Sequence, residues 1–427
     1  MTELCIDFGG SAIKVGVCDD GRILASSELP VAGTPDDLAR AAAELRRLVD
    51  VVAVRAATGA RPGAAGGGVG AAGERVGVGA GGDRAGEAGG GVREAGDGVG
   101  TGGDRAGGDR AGAVSVAAGG GMRGWGGASV VAIAVPGVVD RRTASLVAAH
   151  DKYDYLTGFD LDAWARKTFG IGAVVENDAR AALLGEVRYG VARGAENAVI
   201  AVFGTGIGTA ALLEGRLLHG SHDHAGILGG HITVDLDGPV CNCGNIGCAE
   251  AIASSWALER TLTAIERRLA AAEDLDDVEN RKRDDNRARI ARGEREVCET
   301  PRSGGGTLRG RIDAGQNVGI ADVVETQSDP DSRALLDLFV QAWSAAIVGL
   351  CHAYDPDVVV VSGGVMRSAD LILPELTRQV HEHLWSSSFR PPLVVPERPE
   401  TSVLLGLSAL GRTNDEAAAP TERRPTP

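Results

Sequence analysis

Apolar and polar positions alternate near the start of the chain in a pattern that predicts a β-hairpin. The apolar run Leu4–Phe8 leads into Gly9-Gly10-Ser11, and apolar side chains then recur at every second position, namely Ile13, Val15 and Val17. This period of two is typical of a half-buried strand, and the small residues between the runs predict a tight turn. Glycine allows backbone N–H groups to approach a phosphate there, and Asp7 could hold Mg²⁺ through water. The alternative is that the turn only reverses the chain.

The same pattern of strand, glycine turn and strand occurs again in the second half of the chain. Ala198–Phe203 predicts a buried strand, Gly204-Thr205-Gly206-Ile207-Gly208 predicts a second glycine turn, and residues 209–215 predict the returning strand. A third glycine turn, Ser362-Gly363-Gly364, follows the fully apolar strand Val358–Val361. Two turns of one design in a single chain support each other as candidate phosphate-binding loops.

The other periodic segments alternate between strands and helices, which favours an α/β fold. Apolar spacing and capping residues predict helices that begin at Thr34, at Asp160 and after Asn177-Asp178, and further helices over residues 249–272, 331–354, 371–385 and 403–410. Buried strands are predicted over residues 129–139, 173–176 and 393–396.

Two segments and the C-terminal tail lack the apolar residues that a core requires. Residues 59–127 are dominated by glycine, with Asp-Arg-Ala-Gly repeated at positions 83, 104 and 109, and residues 273–318 are highly charged. Residues 413–427 are polar and rich in proline. Such compositions bury too little apolar surface to offset the entropy lost on ordering. We therefore predict a disordered insertion over 59–127, a polar insertion over 273–318 and a disordered tail over 413–427.

Composition and charge narrow the class of protein. The formal net charge of -15 disfavours nucleic acid or an anionic membrane as the main partner. Seven cysteines, three of them clustered, do not form a disulfide framework and indicate a reducing compartment. The N-terminus has no signal-peptide pattern, and no apolar run reaches the roughly 20 residues of a membrane span. We therefore expect a soluble cytoplasmic protein.

His231 and three closely spaced cysteines form a candidate zinc site. Cys241, Cys243 and Cys248 are interleaved with glycines, and His231 precedes them by ten residues. Three sulfurs and one nitrogen fill the four positions of tetrahedral Zn²⁺, which describes a structural site without an open position for chemistry. The alternative is a group of buried or redox-active cysteines beside an unrelated histidine. Glu250, just after the cluster, is the first residue that a pinned loop would position.

Taken together, these stretches resemble the ROK family of sugar kinases and sugar-responsive repressors. The resemblance covers the chain except the two insertions and the tail, and its motifs occur in the family's order: DFGGSAIKVGV, AIAVPGVVD, VENDARAALLGE, FGTGIGTAALLEGRLLHG, HAGILGGHITVD, CNCGNIGCAEAIAS and VVVSGGV. The cysteine cluster and VENDARAALLGE are the specific motifs, and the glycine turns support them.

The resemblance implies an α/β fold of the actin-like ATPase (ribonuclease H-like) type, with two lobes around a cleft and a structural zinc loop. It implies a small N-terminal lobe formed by residues 1–58 and 128–176 together with a C-terminal helix over 401–412. Residues 177–400, which include the zinc loop, would form the large C-terminal lobe.

The resemblance also implies roles for individual residues. The three glycine turns would bind ATP and Mg²⁺ through Asp7, Gly9, Gly10, Ser11, Gly204, Thr205, Gly206, Gly208, Gly363 and Gly364. Asp178 matches the catalytic base of the family, although the ordinary role of a carboxylate at a strand-to-helix corner is helix N-cap. The residues that would contact the sugar are Asn177, Gly137, Glu250 and His231, and His231 is also the zinc ligand.

Two departures from the family pattern concern the sugar and the phosphates. The family motif places Ala-Gly-Glu two residues before the ligand histidine, whereas this chain reads AGILGGH, with Ile227 in place of the glutamate and one residue more. Ala12 stands where many members have a lysine, and Lys14 follows two residues later.

The activity implied is ATP-dependent phosphorylation of the primary hydroxyl of a hexose, either glucose or an N-acetylated hexosamine, by a homodimer. The first phosphate turn begins near residue 7, which leaves no room for the DNA-binding winged helix that precedes it in repressors and so favours a kinase. The alternatives are a non-catalytic sugar sensor of the same fold and a scaffold whose glycine-rich insertion is the functional part.

Overall fold

The structure is a computed structural model that describes residues 2–58, 125, 127–149, 153–263, 308–314, 316 and 318–418. Almost all of the predicted glycine-rich insertion lies outside the described residues, as do most of the predicted polar insertion and residues 419–427. The lobes described below are built from the remaining parts of the chain.

The N-terminal lobe contains a five-stranded mixed sheet and a small hairpin. The strands are β1 (Thr2–Phe8), β2 (Ala12–Asp19), β3 (Arg22–Pro30), β4 (Ala128–Val135), β5 (Val138–Asp140), β6 (Ser145–Ala148) and β7 (Ala173–Asn177). The sheet order is β3-β2-β1-β4-β7, with β5 and β6 paired separately. β1, β2 and β3 form an antiparallel meander, whereas β4 and β7 run parallel to β1. The hairpin that the alternating pattern predicts therefore opens the chain.

Three helices follow strands of this lobe, namely α1 (Asp36–Thr58) after β3, α2 (Leu161–Phe169) after the hairpin and α3 (Asp178–Tyr189) after β7. The apolar face predicted for α1 is buried with the sheet, and α2 packs into the same core. Asp160 caps α2 as expected, because its side chain accepts the Ala163 N–H at 2.8 Å.

The sheet of the C-terminal lobe repeats the plan of the first. Its strands are β8 (Ala198–Phe203), β9 (Ile207–Leu213), β10 (Arg216–Leu217), β11 (Val358–Ser362) and β12 (Leu393–Val394), in the order β10-β9-β8-β11-β12. β8, β9 and β10 are antiparallel, and β11 and β12 run parallel to β8. The recurrence of one strand order explains why two glycine turns of one design occur in the sequence.

The remaining helices are α4 (Ala249–Ala253), α5 (residues 255–263), α6 (Leu308–Asp313), α7 (Ile320–Glu325), α8 (Pro330–Tyr354), α9 (Ala369–His383) and α10 (Ser402–Ala418). The prediction of one helix over 249–272 was wrong, because extended backbone at Ser254 separates α4 from α5. The Ser254 hydroxyl accepts the Ala257 N–H and so starts the second helix.

Part of the segment predicted as a polar insertion belongs to the core. Leu308, the first residue of α6, is 2% exposed, and Val318 is also buried in the large-lobe core. The C-terminal helix α10 likewise continues to Ala418, beyond the end expected at residue 412.

Helix α8 is the central helix of the C-terminal lobe. By length and composition alone it could cross a membrane, and the sequence was not expected to contain such a segment. Its apolar side chains are nevertheless packed within the lobe, where Trp343 stacks on Phe203 of β8 with ring centroids 4.8 Å apart. The helix therefore supports the second sheet.

Helices α3 and α10 join the two lobes by exchanging sheets. α3 follows β7 of the first sheet but packs on β8 and β9 of the second, while α10 follows β12 of the second sheet and packs on β1, β2 and β4 of the first. The helices cross at Gly185 and Gly406. A Cβ on Gly185 would lie 2.1 Å from Ser402 O, and one on Gly406 would lie 1.7 Å from Ala181 O. Only glycine permits this approach.

Candidate active site

The predicted site residues of the N-terminal lobe lie together at the carboxyl ends of its parallel strands. Asp7 is next to last in β1, Gly137 follows β4, and Asn177 ends β7 just before Asp178 begins α3. Asn177 Nδ2 donates to Gly137 O at 3.0 Å. Gly137 has a φ of 106°, and a Cβ there would lie 2.1 Å from Ala148 O, so another residue would not fit. This edge is where α/β sheets generally bind ligands.

The first glycine turn is held by a tyrosine that the sequence did not reveal. Within the turn, the Gly9 N–H donates to Ala12 O at 3.1 Å. The Tyr153 hydroxyl donates to Gly9 O at 2.8 Å, and its buried ring packs edge-on against Phe8. No local pattern signals this contact, because 144 positions separate the two partners. Tyr153 thereby fixes the peptide that leads into the turn.

Asp7 presents an unpartnered carboxylate oxygen beside this turn. Its side chain is 4% exposed, and Oδ1 has no hydrogen-bond partner among the described residues. Burial raises the pKa of Asp7 to about 7, the negative charge of Asp178 adds to the increase, and Lys14 opposes it. A hard divalent cation prefers such oxygen ligands, so this buried carboxylate fits Mg²⁺ bound together with phosphate.

Asn177, rather than Asp178, caps helix α3. Its side-chain oxygen accepts the Arg180 N–H at 3.1 Å, and its backbone is extended, as at an N-cap. Asp178 is the first residue of the helix, and its Oδ1 accepts bonds from Asn177 Nδ2 at 3.0 Å and from the Ala179 N–H at 2.8 Å. The structural alternative for Asp178, a helix cap, is therefore wrong.

The surroundings of the Asp178 carboxylate make it more basic than an ordinary aspartate. Part of the side chain reaches solvent, but the carboxylate lies among protein atoms, and this desolvation raises its pKa to about 6. The bonds from Ala179 and Asn177 oppose the increase because they favour the charged form. A carboxylate with this pKa is ionised at pH 7 and more basic than an exposed aspartate.

The three glycine turns converge on one region. A Cβ on Gly10 would lie 3.9 Å from Thr205 Oγ1, so the first turn faces the second, which comprises Gly204, Thr205, Gly206 and Gly208. Gly363 has a φ of 102°, and a Cβ there would lie 2.1 Å from Phe203 O at the end of β8. The third turn, Gly363-Gly364, therefore lies against the start of the second. Exposed peptide N–H groups of such turns suit a polyphosphate.

His231 and the three cysteines meet as the spacing predicts. Their ligand atoms all lie within 4.8 Å of one another. His231 Nδ1 is 3.6 Å from Cys241 Sγ, and Cys243 Sγ is 3.7 Å from Cys248 Sγ. Sulfurs around tetrahedral Zn²⁺ are about 3.8 Å apart, given Zn–S bonds of about 2.3 Å. The donor set and its separations therefore fit zinc.

Glu250 lies between this cluster and the second glycine turn. It is in the first turn of α4, two residues after Cys248, and its Oε2 accepts the Ile207 N–H at 2.7 Å. The sequence pattern placed Glu250 near the cluster but gave no sign of its contact with the glycine turn. Within the part of the chain that the structure describes, no hydrogen bond engages the other carboxylate oxygen, Oε1.

A buried ionic network beside Asp178 was also missed. Arg180 is fully buried and donates to three carbonyl oxygens of one loop, those of Leu218 at 3.0 Å and of Asp223 and Ala225 at 2.8 Å each. Its guanidinium also pairs with Glu176 at 3.3 Å. The network fastens the loop that leads to His231 onto the helix that carries Asp178. The signal was present as two charges four residues apart in VENDAR, which flank the site residues.

The same loop contains the departure from the family motif. Ile227 is 8% exposed and packs in the interior, so it places an apolar side chain where the resemblance expects a carboxylate. The loop is anchored to β9 because Thr209 Oγ1 donates to Gly226 O at 2.7 Å and accepts the Gly229 N–H at 2.8 Å. A short 3-10 turn, Gly229–His231, then delivers the histidine to the cluster.

Comparison with known proteins identifies relatives of two kinds. The glucokinase of Thermotoga maritima is 28% identical over 268 residues, which are 61% of this chain and 71% of that protein. The xylose repressor of Bacillus spizizenii is 31% identical over 146 residues, which are 34% of this chain and 37% of the repressor. The sequence relatives thus include both sugar kinases and repressors.

Solved structures match the fold across nearly the whole chain. The ROK hexokinase from Thermus thermophilus aligns with a TM-score of 0.59 and 20% identity, covering 98% of this chain and all of that one. A ROK family glucokinase from Streptomyces griseus, solved in complex with glucose and AMPPNP, aligns with a TM-score of 0.58 and 21% identity over 97% of this chain. Likeness at this level confirms the two-lobed actin-like ATPase fold. The model of the ROK family matches residues 123–414, and the chain therefore belongs to that family.

Proposed function

We propose that the chain is a sugar kinase that transfers the γ-phosphoryl group of ATP to the primary hydroxyl of a hexose, such as glucose or an N-acetylated hexosamine. The observation that carries this proposal is the position and basicity of Asp178. Asn177, not Asp178, is the N-cap of α3, and burial raises the pKa of Asp178 to about 6. Asp178 lies at the strand edge that also presents Asp7 and the first glycine turn. A general base needs this combination of position and basicity.

Proton transfer would be the task of Asp178. The Asn177 amide and the Ala179 N–H hold one oxygen of its carboxylate, which fixes the orientation of the other. The other carboxylate oxygen would accept the proton of the sugar hydroxyl while the hydroxyl oxygen attacks the γ-phosphorus in line with the departing ADP. Phosphoryl transfer requires little covalent help, so positioning and charge stabilisation provide most of the acceleration.

Phosphate binding would be shared by the two facing glycine turns. Their peptide N–H groups would donate to the phosphate oxygens, and Tyr153 would keep the first turn in place through Gly9. Asp7 would hold Mg²⁺, which when bound neutralises charge on the transferred phosphoryl group.

Sugar binding would involve both lobes. Asn177 and Gly137 are bonded to each other beside Asp178, and His231 and Glu250 come from the zinc loop of the other lobe. Zn²⁺ would be held by His231 Nδ1 and the three thiolates, and it supplies rigidity rather than reactivity. Because Ile227 replaces a carboxylate in this loop, the preferred sugar must be found by experiment.

A coupled assay for ADP tests the proposal. The full chain, supplied with ATP, Mg²⁺ and zinc, is tested with a panel of hexoses that includes glucose and N-acetylated hexosamines. We expect at least one hexose to raise ADP release well above the rate without sugar, with a sugar 6-phosphate as product. Release that no hexose stimulates would contradict the proposal.

The repressor relatives favour one other candidate, a non-catalytic sugar-binding protein of the same family. Such a protein would bind a sugar by calorimetry but would not turn over ATP in its presence. Asp178 and the facing turns favour the kinase, since a sensor has no need of a basic carboxylate beside its phosphate turns. We also propose that the protein is cytoplasmic, forms a homodimer and has neither nucleic acid nor a membrane as a partner. Light scattering after size-exclusion chromatography would test whether it is a dimer.

A further inference from the structure

The zinc-loop helix is bonded to both ends of the second glycine turn. At the far end, Glu250 Oε2 accepts the Ile207 N–H at 2.7 Å. At the near end, the Ser255 N–H and the Ser255 hydroxyl both donate to Gly204 O, each at 3.0 Å. One continuous segment, α4 with the first residue of α5, therefore spans the turn that faces Gly9-Gly10-Ser11.

The contact between helix and turn is close. A Cβ on Gly206 would lie 2.5 Å from Glu250 Oε2, so the carboxylate rests directly against the turn. The turn is itself closed by the bond from the Gly204 N–H to Gly206 O at 3.0 Å. Its peptides therefore have few conformations available while Glu250 and Ser255 remain in place.

The other side of α4 is fixed to the metal cluster and to the core. The helix follows Cys248 directly, and the Ala249 N–H donates to Ile232 O at 3.0 Å, next to His231. At its end, Trp343 Nε1 of α8 donates to Ala253 O at 2.7 Å. A one-turn helix held at both ends has little freedom to move on its own, so a shift of Cys248 would reach the glycine turn.

We infer that Glu250 and Ser255 are positioning residues for the second glycine turn, and that the metal cluster acts through α4 on the binding of a nucleoside triphosphate. The cluster would then support both halves of the reaction, because the segment that carries Glu250 toward the sugar also orders the turn that binds phosphate. This coupling rests on the proposed function for the nucleotide that the turn binds and for the sugar that Glu250 contacts.

Nucleotide affinity of Ser255→Ala is the first test. The variant loses the hydroxyl bond to Gly204 O but keeps the bond from its peptide N–H, so the protein should fold. We expect the Kd for AMPPNP with Mg²⁺, measured by calorimetry on metal-loaded protein, to rise roughly 2- to 10-fold, as the net value of one hydrogen bond predicts. The KM for the best hexose should stay within about twofold.

Ser254→Ala is the matched control, since Ser254 is the neighbouring serine and its hydroxyl accepts the Ala257 N–H at the start of α5. It should lower the melting temperature more than Ser255→Ala does and leave the AMPPNP affinity unchanged. The inference would be overturned if Ser255→Ala binds AMPPNP as tightly as the wild type does. It would also be overturned if Ser254→Ala loses as much AMPPNP affinity as Ser255→Ala does.

Metal removal provides the second test. A chelator that strips the cluster should weaken AMPPNP binding by the wild type, and it should weaken binding by Ser255→Ala less, because the link is already loosened. If metal removal and Ser255→Ala act independently, their fold-changes in the Kd for AMPPNP will multiply when they are combined. Such multiplication would exclude coupling through α4. If the metal-free protein unfolds, the comparison of Ser255→Ala with Ser254→Ala in the loaded state still tests the bond to Gly204 on which the coupling depends, and an unchanged AMPPNP affinity of Ser255→Ala overturns the inference.

Failure of this inference is distinguishable from failure of the proposed function. AMPPNP affinity is measured without sugar or turnover, whereas the proposed function is judged by hexose-dependent ADP release from the wild type. Suppose that the wild type phosphorylates a hexose but that removal of the Ser255 hydroxyl leaves the AMPPNP affinity unchanged. The proposed function would then stand, and the coupling through α4 would be wrong.

Discussion

Asp178 carries the sharpest prediction at the scale of single residues. Because Asn177 provides the cap of α3, Asp178→Asn should fold with a melting temperature close to that of the wild type. The amide cannot accept the proton of the sugar hydroxyl, so turnover should fall roughly 10²–10⁴-fold while sugar binding by calorimetry changes far less. A folded variant with a nearly normal rate would remove Asp178 as the base.

The pH dependence of the rate follows from the same carboxylate. The base must be ionised, and burial raises the pKa of Asp178 to about 6. We therefore expect kcat/KM for the sugar to decline as the pH falls below about 6, at saturating Mg²⁺ and ATP so that Asp7 stays ionised. The residual activity of Asp178→Asn should not decline in this pH range. If the decline persists in the variant, the titrating group is not Asp178.

Asp7 should reveal the energetic cost of burying a carboxylate with an unpartnered oxygen. The pKa of Asp7 is about 7 in the folded protein and near 3.8 when exposed, so between these pH values the native state holds more proton than the unfolded state. Stability therefore falls as the pH rises from about 4 to 7, and above pH 7 the penalty is complete. In the absence of Mg²⁺ and nucleotide, Asp7→Asn should stabilise the protein at pH 8 by on the order of 1.4 kcal/mol per unit of pKa shift. The gain should be much smaller at pH 5. Nucleotide binding with Mg²⁺ should weaken. The exposed Asp50→Asn on α1 is the control for both measurements.

At the scale of structural elements, the zinc loop should contribute to stability as a unit. Metal analysis of protein purified without chelator should give one zinc per chain, because four ligands converge on one point. Cys243→Ser should lower the melting temperature and weaken sugar binding together, since His231 loses its anchor. Active, folded wild-type protein that contains no metal would contradict this prediction.

The elements that local pattern defines were predicted well, and those defined by distant contacts were not. A glycine turn marks the end of both β8 and β11. The observed strands, Ala198–Phe203 and Val358–Ser362, therefore agree with the predicted ones to within one residue. The break at Ser254 escaped prediction because apolar spacing continues through it, and only its bonding to the following turn starts a new helix. Tyr153 donates to Gly9, which is 144 positions away, and Arg180 donates to Asp223, which is 43 positions away. Contacts over such separations leave no pattern in a short stretch of sequence.

At the scale of the whole molecule, two helices exchanged between the sheets connect the lobes. Apolar spacing predicts both α3 and α10, but only the family resemblance implies that the C-terminal helix belongs with the small lobe and that residues after 176 belong with the large one; in the structure each helix packs on the sheet it does not follow. Their crossing brings Glu186 and Ser402 into a buried hydrogen bond. The bond from Ser408 Oγ to Glu3 at 2.9 Å fastens α10 to β1. Asp178 begins one of these helices, so the crossing also sets where this carboxylate lies relative to both glycine turns.

The crossing itself can be tested by adding a single methyl group. Alanine is favoured over glycine by about 1 kcal/mol inside a helix, so Gly→Ala stabilises wherever space allows. At Gly406 the new Cβ would meet Ala181 O at 1.7 Å, and relief requires α3 and α10 to move apart. We expect Gly406→Ala to lose roughly 2 kcal/mol or more in urea unfolding and to lower turnover. The control is Gly349→Ala in α8, whose Cβ would lie 3.5 Å from Ile232 Cδ1, an ordinary contact. That variant should be as stable as the wild type or slightly more so, and equal stability of the two variants would mean that the helices do not cross at Gly406.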